Sequence, residues 1–332
     1  NAPIPKSRIA EIAWPAIPAP EAGMLLTLLQ QLGESQWWPP EVLRAQQFRQ
    51  LDRLVAHAHR TVPFYRERLV AAGYAPDRRL DEESWVRLPI LKRREVQEAG
   101  ESLRSTAIPQ SHGRVAMAST SGSTGTPLKL AKTELCTLFW RALTLREDLW
   151  HGRDFTQKLA VIRRDKHNKF PKPEGLQVPN WGSPVAMVYP TGPMSLLDVM
   201  HDSNIQLDWL INENPTYLLS HPSILQALAE LSLARGLRPS RLEQARSLAE
   251  VLEPETRETV RRAWGVEIAE TYSAEEIGYM ALQCPSHGPA LHVQSESTLV
   301  EVLDDTDRPV APGAVGRVVV TPLHNFAAPL IR

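Results

Sequence analysis

The chain has 332 residues, 42% of them hydrophobic and 23% charged, the balance of a globular protein large enough for more than one lobe. Its formal net charge of -1 excludes a broad surface for nucleic acid or anionic membrane, although a local anion site built from backbone amides adds no formal charge and stays open. Only two cysteines occur, Cys136 and Cys284, which argues against a disulfide scaffold and for the reducing cytoplasm; no apolar run approaches the ~18 residues of a membrane span, and no charged-then-apolar leader opens the chain.

In chain order, residues 1–100 are predicted to be mostly helical and punctuated by proline. From Pro40, a good first-turn residue, the residues Leu43, Phe48, Leu51, Leu54 and Val55 fall on one helical face. The rhythm changes after Ser111. Val115–Ala118 and Leu128–Ala131 read as strands, and Thr133 is placed to cap a helix running to Trp150 with Leu135, Leu138, Phe139, Ala142 and Leu149 on one side. Strand and helix then alternate. Strands are predicted at Leu159–Ile162, Thr216–Ser220, Ala245–Ala249 and Val266–Ala269. Helices are predicted at Leu196–Ile211, from Pro222 to Gly236 and from Pro254 to Gly265. The alternation implies an α/β sheet with covering helices, whose ligands sit beyond the carboxyl ends of the strands. Leu299–Leu303 and Val318–Val320 form a closing strand, turn, strand pattern.

Between the two strands after Ser111 lies Ser119-Thr-Ser-Gly-Ser-Thr-Gly-Thr-Pro127. Gly122 and Gly125 let the backbone turn tightly and approach a ligand. Consecutive amides there can point into one concavity that suits phosphate. Thr120, Ser121, Ser123 and Thr124 add hydroxyl donors, and Lys129 adds a cation. Gly125 is followed by Thr-Pro, so the Walker pattern is not met.

This loop resembles the phosphate loop of adenylate-forming enzymes, the acyl-CoA synthetase superfamily, and the branch it is most similar to is the phenylacetate-CoA ligase-like family. Phe64-Tyr-Arg-Glu-Arg68 and Leu88-Pro-Ile-Leu-Lys-Arg93 resemble that family's N-terminal landmarks. Ser247-Leu-Ala-Glu-Val-Leu252 resembles its Gly-Glu-Pro-Leu segment, with Ala249 in place of glycine and Val251 in place of proline. Glu270-Thr-Tyr-Ser-Ala-Glu-Glu-Ile-Gly278 resembles its Tyr-Gly-x-Ser/Thr-Glu motif, with Glu275 where a hydroxyl residue is usual. Leu218-Leu-Ser-His-Pro-Ser223 resembles its Gly-x-Pro-Ser segment, and Pro312–Leu323 and Pro329–Arg332 resemble its closing strand and its Pro-Leu-Ile-Arg-Tyr-x-x-Gly-Asp motif.

The resemblance implies an α/β fold, the large N-terminal domain of an adenylate-forming enzyme. A helical region (1–100), an α/β nucleotide- and acyl-binding core (101–295) and a small β-rich subdomain (296–332) are expected. The ribose-binding Asp would follow Arg332, and the small C-terminal domain with its mobile catalytic lysine is not in the chain, which reads as a truncation. Implied roles are Thr120, Ser121, Gly122, Ser123, Thr124, Gly125 and Lys129 on phosphate, with Thr124 and Glu276 catalytic and Glu276 holding Mg²⁺. Ala249, Glu250, Val251, Thr271, Tyr272 and Ser273 would take the nucleotide, and His221, Pro222, Trp181, Tyr189, Ala274 and Gly278 the acyl group. The implied reaction joins a carboxylic acid, aryl by family, to ATP and then to coenzyme A. A carrier-protein thiol or an amine is the alternative acceptor, a non-catalytic nucleotide or acyl binder the alternative role, and a homodimer the expected assembly.

Cys284, His287 and His292 have spacing suited to zinc, but a structural site needs four ligands.

Overall fold

The computed structural model describes residues 3–119, 127–165, 167–171 and 173–332. The phosphate-loop residues Thr120, Ser121, Gly122, Ser123, Thr124 and Gly125 lie outside the described residues. The elements run, in order, α1 (Pro20–Ser35), α2 (Pro40–Thr61), α3 (Pro63–Ala71), α4 (Glu82–Val86), α5 (Arg93–Ala99), β1 (Val115–Ser119), β2 (Lys129–Thr133), α6 (Glu134–Trp150), β3 (Leu159–Arg163), β4 (Leu176–Val178), α7 (Val185–Val188) and β5 (Met194–Asp198). They continue as α8 (Ser203–Glu213), β6 (Tyr217–Ser220), α9 (Pro222–Arg235), β7 (Gln244–Ser247), α10 (Pro254–Trp264), β8 (Glu267–Ala274), β9 (Gly278–Gln283), β10 (Leu291–Val293), β11 (Thr298–Leu303) and β12 (Arg317–Pro322).

Two compact units share the chain. One takes Asn1–Leu29, Arg141–Tyr272 and Ala281–His292; the other takes Gln30–Trp140, Ser273–Met280 and Val293–Arg332. Both are assembled from separated segments, so compactness in space does not follow the linear order of the chain. No helix among the described residues is long and apolar enough to cross a membrane.

The first unit is organised by a sheet of order β10-β9-β8-β7-β6-β3-β5-β4. The central strands β5, β3, β6, β7 and β8 are parallel, and β4 is antiparallel to β5. Parallel strands buried on both faces read as continuous apolar runs, which is why Leu159-Ala-Val-Ile162 is legible. Helices α9 and α10 start on Pro222 and Pro254 and end on Gly236 and Gly265, which adopt the left-handed conformation at φ 63 and 75. Leu225, Leu228, Ala229 and Val260 pack with Ala160, Leu218, Ala245 and Ile268 in the core.

The predicted helix Leu196–Ile211 is corrected. Met194–Asp198 is strand β5, and the helix begins only at Ser203, where the Asp202 side chain accepts the Asn204 amide. The short buried run Ser-Leu-Leu fits a strand as well as a helix, and Asp202, a strong N-cap, marks the true start.

In the second unit, Leu51, Leu54, Val55 and Ala58 of α2 are fully buried in a core with Tyr65, Trp85 and Leu103, and Phe48 packs against it. Burying each large aliphatic side chain contributes about 1.5–3 kcal/mol. Strands β1 and β2 form an antiparallel pair, and so do β11 and β12. Tyr65 Oη donates to the Pro329 carbonyl at 3.0 Å and accepts the Ile331 amide at 2.9 Å. Burial pushes this phenol well above its ordinary range. Arg332 donates to the carbonyls of Val86 and Leu88 at 2.8 and 2.6 Å and pairs with Glu301 at 3.3 Å; its own carbonyl accepts the Leu91 amide. The three distant landmarks, Phe64–Arg68, Leu88–Arg93 and Pro329–Arg332, are therefore parts of one packing arrangement.

Candidate active site

The parallel register sets Ser220 and Ser247, the last residues of β6 and β7, side by side, with Glu270 opposite Ser247 partway along β8, which runs on beyond them to Ala274. The chain leaves β3 toward β5 on one side, while β6 and its successors lie on the other. The order therefore reverses between β3 and β6, and in open α/β sheets ligands bind outside the strand ends at such a reversal. His221 is the first residue beyond β6, at the N-cap of α9, with Pro222 buried in the first turn. Ser220 Oγ donates to the Ile162 carbonyl at 3.1 Å, tying β6 to β3. Thr271 Oγ1 donates to the Ser247 carbonyl at 3.0 Å, tying β8 to β7.

Beyond β7, Ala249 has φ 65. A left-handed backbone suits glycine and costs an L-residue about 1–2 kcal/mol. The glycine of the resembled segment is thus a conformational requirement, and this chain meets it with alanine. Ala249→Gly is expected to raise stability by roughly 0.5–1 kcal/mol, the relieved strain being partly offset by the greater freedom of unfolded glycine. The midpoint of denaturant unfolding checks this; an unchanged or lower midpoint contradicts it. Glu250 and Val251 are exposed, and so is Tyr272, 44% accessible. Ser247 is almost completely buried, yet its Oγ has no hydrogen-bond partner among the described residues. Sequence reasoning gave it no role because nothing in a serine's identity signals an unspent donor.

Ser273 and Ala274 close strand β8, and Glu275 and Glu276 follow in the turn to β9, with the Ile277 amide donating to the Ala274 carbonyl at 3.2 Å. The Glu276 carboxylate lies 3.5 Å from Arg93 Nη1. Glu275 is exposed, and its carbonyl accepts from Lys132 Nζ. Arg93, the last residue of a landmark with no assigned role, is thereby identified as the partner of Glu276. Gly278 has φ 106, which explains glycine at the end of that motif. Lys129 is exposed at the start of β2, opposite Ser119.

Trp181 and Tyr189 lie elsewhere. Both are buried and pack on Phe155 at 5.7 and 5.2 Å between ring centroids, and Trp181 also meets Tyr217 at 5.6 Å. Trp181 Nε1 donates to the Gln157 carbonyl at 2.9 Å. Gln157 precedes β3 and Tyr217 opens β6, so this cluster sits at the amino ends of the strands, the end opposite His221. That placement corrects the expectation that these two side chains line an acyl pocket; their bulk and indole N–H are used in packing.

The last turns of α6 bury charge instead of Leu149. Glu147 and Asp148 are completely buried. Arg153 donates to Glu147 at 2.6 Å, to Asp148 at 2.7 Å and to Gln244 at 2.8 Å. Arg246 of β7 pairs with Glu147 and lies 3.2 Å from Asp148. Burial alone would push the Glu147 carboxyl up, but the two guanidinium groups outweigh it and hold it at about 2.

Cys284, His287 and His292 bring one thiol and two imidazoles together, all their ligand atoms lying within 4.8 Å of one another. The two imidazoles stack with centroids 5.4 Å apart. Gln283 Nε2 donates to the Gly288 carbonyl at 2.9 Å and braces the turn between them.

No protein-family model matches the chain. It is 29% identical over 305 residues to a phenylacetate-coenzyme A ligase of Thermus thermophilus, an alignment covering 90% of this chain and 66% of that relative. An open conformation of 2-hydroxyisobutyryl-CoA ligase in complex with 2-HIB-AMP and CoA superposes with a TM-score of 0.67 at 19% identity, over 86% of this chain and 66% of that one. The same ligase in its thioesterification state gives a TM-score of 0.68 at 20% identity, over 89% and 62%. These likenesses show the fold, and the chain spans slightly less than two thirds of the length of the proteins it matches.

Proposed function

We propose that the chain belongs to the adenylate-forming superfamily, in its phenylacetate-CoA ligase-like family, a reading supported by its likeness to those ligases, and that it activates a carboxylic acid with ATP and passes the acyl group to coenzyme A. A carboxylate oxygen attacks the α-phosphorus of ATP, the bond to pyrophosphate breaks, and an acyl-adenylate forms. The coenzyme A thiol then gives up its proton and attacks the acyl carbon, and AMP leaves. The observation that supports this reading is that β6 and β7 end side by side on Ser220 and Ser247, next to the reversal of sheet order, with β8 running on past them. His221 follows β6 and Ala249–Val251 follow β7, so both segments leave the sheet at the same carboxyl end, beside the second half of β8 with Thr271 and Tyr272.

Tyr272 offers an exposed ring for adenine. Ala249, Val251 and Thr271 border the nucleotide, while Glu250 turns its carboxylate to the start of α9, and Ser273 and Ala274 lie beside the α-phosphate. His221, Pro222 and Gly278 border the acyl group. The loop Thr120–Gly125, with Lys129, takes the phosphates, Thr124 donating to the group under attack. Two anions must meet, so charge neutralisation dominates the barrier. Mg²⁺ supplies part of it when bound, and Glu276 is the residue proposed to hold it. The protein works in the cytoplasm, where Cys136 and Cys284, both free, stay reduced. A carrier-protein thiol is the competing acceptor. Assay of the full-length protein with acid, ATP and each thiol separates the two: thioester on coenzyme A supports this reading, and thioester on the carrier alone contradicts it.

Cys284, His287 and His292 fit three positions of a tetrahedral zinc site, and we extend the proposal to a zinc ion there. Purified protein is expected to contain zinc in stoichiometric amount by mass spectrometry of the metal, and Cys284→Ala to lose it. Zinc absent from protein purified without chelator, or retained in Cys284→Ala, contradicts the site.

A further inference from the structure

The turn after β7 and the start of α9 meet through one side chain. Glu250 Oε2 accepts the Ser223 amide at 3.0 Å, and Glu250 Oε1 lies 3.7 Å from His221 Nδ1. Ser223 is in the first turn of α9, where backbone amides lack partners within the helix. His221 provides no side-chain cap, so a carboxylate from another element does that work and also complements the positive end of the helix. His221 Nδ1 is buried and has no hydrogen-bond partner among the described residues. At 3.7 Å the two atoms are in electrostatic contact, just outside hydrogen-bond range, and Glu250 is the anionic partner that Nδ1 has.

We propose that Glu250 is a positioning residue, which fixes the tautomer and orientation of His221 and so joins the nucleotide segment of the strand ends to the acyl segment. The carboxylate accepts only, so it selects the His221 tautomer that carries its proton on Nδ1. That leaves Nε2 as the acceptor on the less buried side of the ring. The conformation of the preceding residue serves this arrangement: the left-handed turn at Ala249 delivers Glu250 back toward α9. Glu250 therefore acts through His221 and Ser223, not on the nucleotide. What His221 meets in the acyl group rests on the adenylation reading above; the tautomer does not.

Two measurements on the full-length protein test this. In the first, nitrogen NMR of labelled histidine reads the His221 tautomer. The native protein is expected to hold the proton on Nδ1, and Glu250→Ala to move it largely to Nε2. An unchanged tautomer in Glu250→Ala overturns the proposal. In the second, carboxylate-dependent ATP–pyrophosphate exchange is followed in Glu250→Ala, His221→Ala and the double variant. Glu250→Ala is expected to raise KM for the acid about tenfold, the scale of one charge-assisted contact, and to leave KM for ATP within about twofold. In the His221→Ala background the Glu250 change should have no further effect on KM for the acid, since residues that act as one unit are not additive. Glu250→Gln keeps an acceptor for the Ser223 amide and should restore thermal stability without restoring the Nδ1 tautomer. Effects that add in the double variant, or a loss confined to KM for ATP, overturn the positioning role. Absence of exchange in the native protein removes the adenylation reading, while the tautomer still decides the role of Glu250.

Discussion

Glu276→Gln is expected to slow carboxylate-dependent ATP–pyrophosphate exchange about 100-fold or more, the usual loss when one charge-stabilising group is removed from a transition state. Glutamine keeps the shape of the side chain and removes the charge. Among the described residues Glu276 pairs with Arg93 at 3.5 Å, whose side chain is nearly half accessible. Losing a pair of that kind costs within about 1 kcal/mol, so a near-native melting temperature should accompany the lost exchange. Glu275 is the control. It is exposed and engages Lys132 through its carbonyl, which substitution leaves in place, so Glu275→Gln should change exchange little. Equal losses in the two variants would mean that the turn as a whole, not the Glu276 charge, matters. Undiminished exchange in Glu276→Gln would remove it from the reaction.

The second large effect is on stability. Glu147→Gln is expected to destabilise the protein by about 3–5 kcal/mol, because removing one charge from a buried network leaves its partners uncompensated. Arg153 and Arg246 both direct a guanidinium at this carboxylate, and neither can lose its proton to relieve the imbalance. The melting temperature should fall by roughly 6–15 °C. The pH dependence has a definite sign. The folded-state pKa of Glu147 is depressed, from an ordinary 4.5 to about 2. Its contribution is therefore fully present above about pH 4.5 and is lost as pH falls toward 2. Glu147→Gln should flatten the acid limb of the stability curve across that interval. A melting temperature within about 2 °C of native, below the shift that 1 kcal/mol produces, would show that the network contributes little.

Much of this arrangement is legible in residue order, for identifiable reasons. Pro222 and Gly236, and Pro254 and Gly265, bracket α9 and α10 because proline suits a first turn and glycine a left-handed end. Leu159–Ile162 reads as a strand because strands covered on both faces are apolar throughout. Sequence pattern fails where a side chain's setting departs from its type. Glu147 and Asp148 belong on a solvated face by composition and are buried only because Arg153, just beyond the helix, and Arg246, distant in the chain, neutralise them. Trp181 and Tyr189 have the size of pocket walls, but which end of a strand they occupy is a matter of topology, and they occupy the amino end. Met194–Asp198 carries too few residues to separate period 2 from period 3.6. Ala249 is the instructive mixed case. The glycine it replaces is visible by resemblance, but the reason for that glycine is visible only as a φ of 65.

The proposal that the strand-end residues serve acid adenylation is tested most directly by ATP–pyrophosphate exchange in the full-length protein, across a panel of aryl and aliphatic acids with Mg²⁺ present. Exchange that requires an added acid, and that falls about 100-fold in Glu276→Gln, is the predicted result. Exchange with no acid, or none with any acid while ATP still binds, would contradict it.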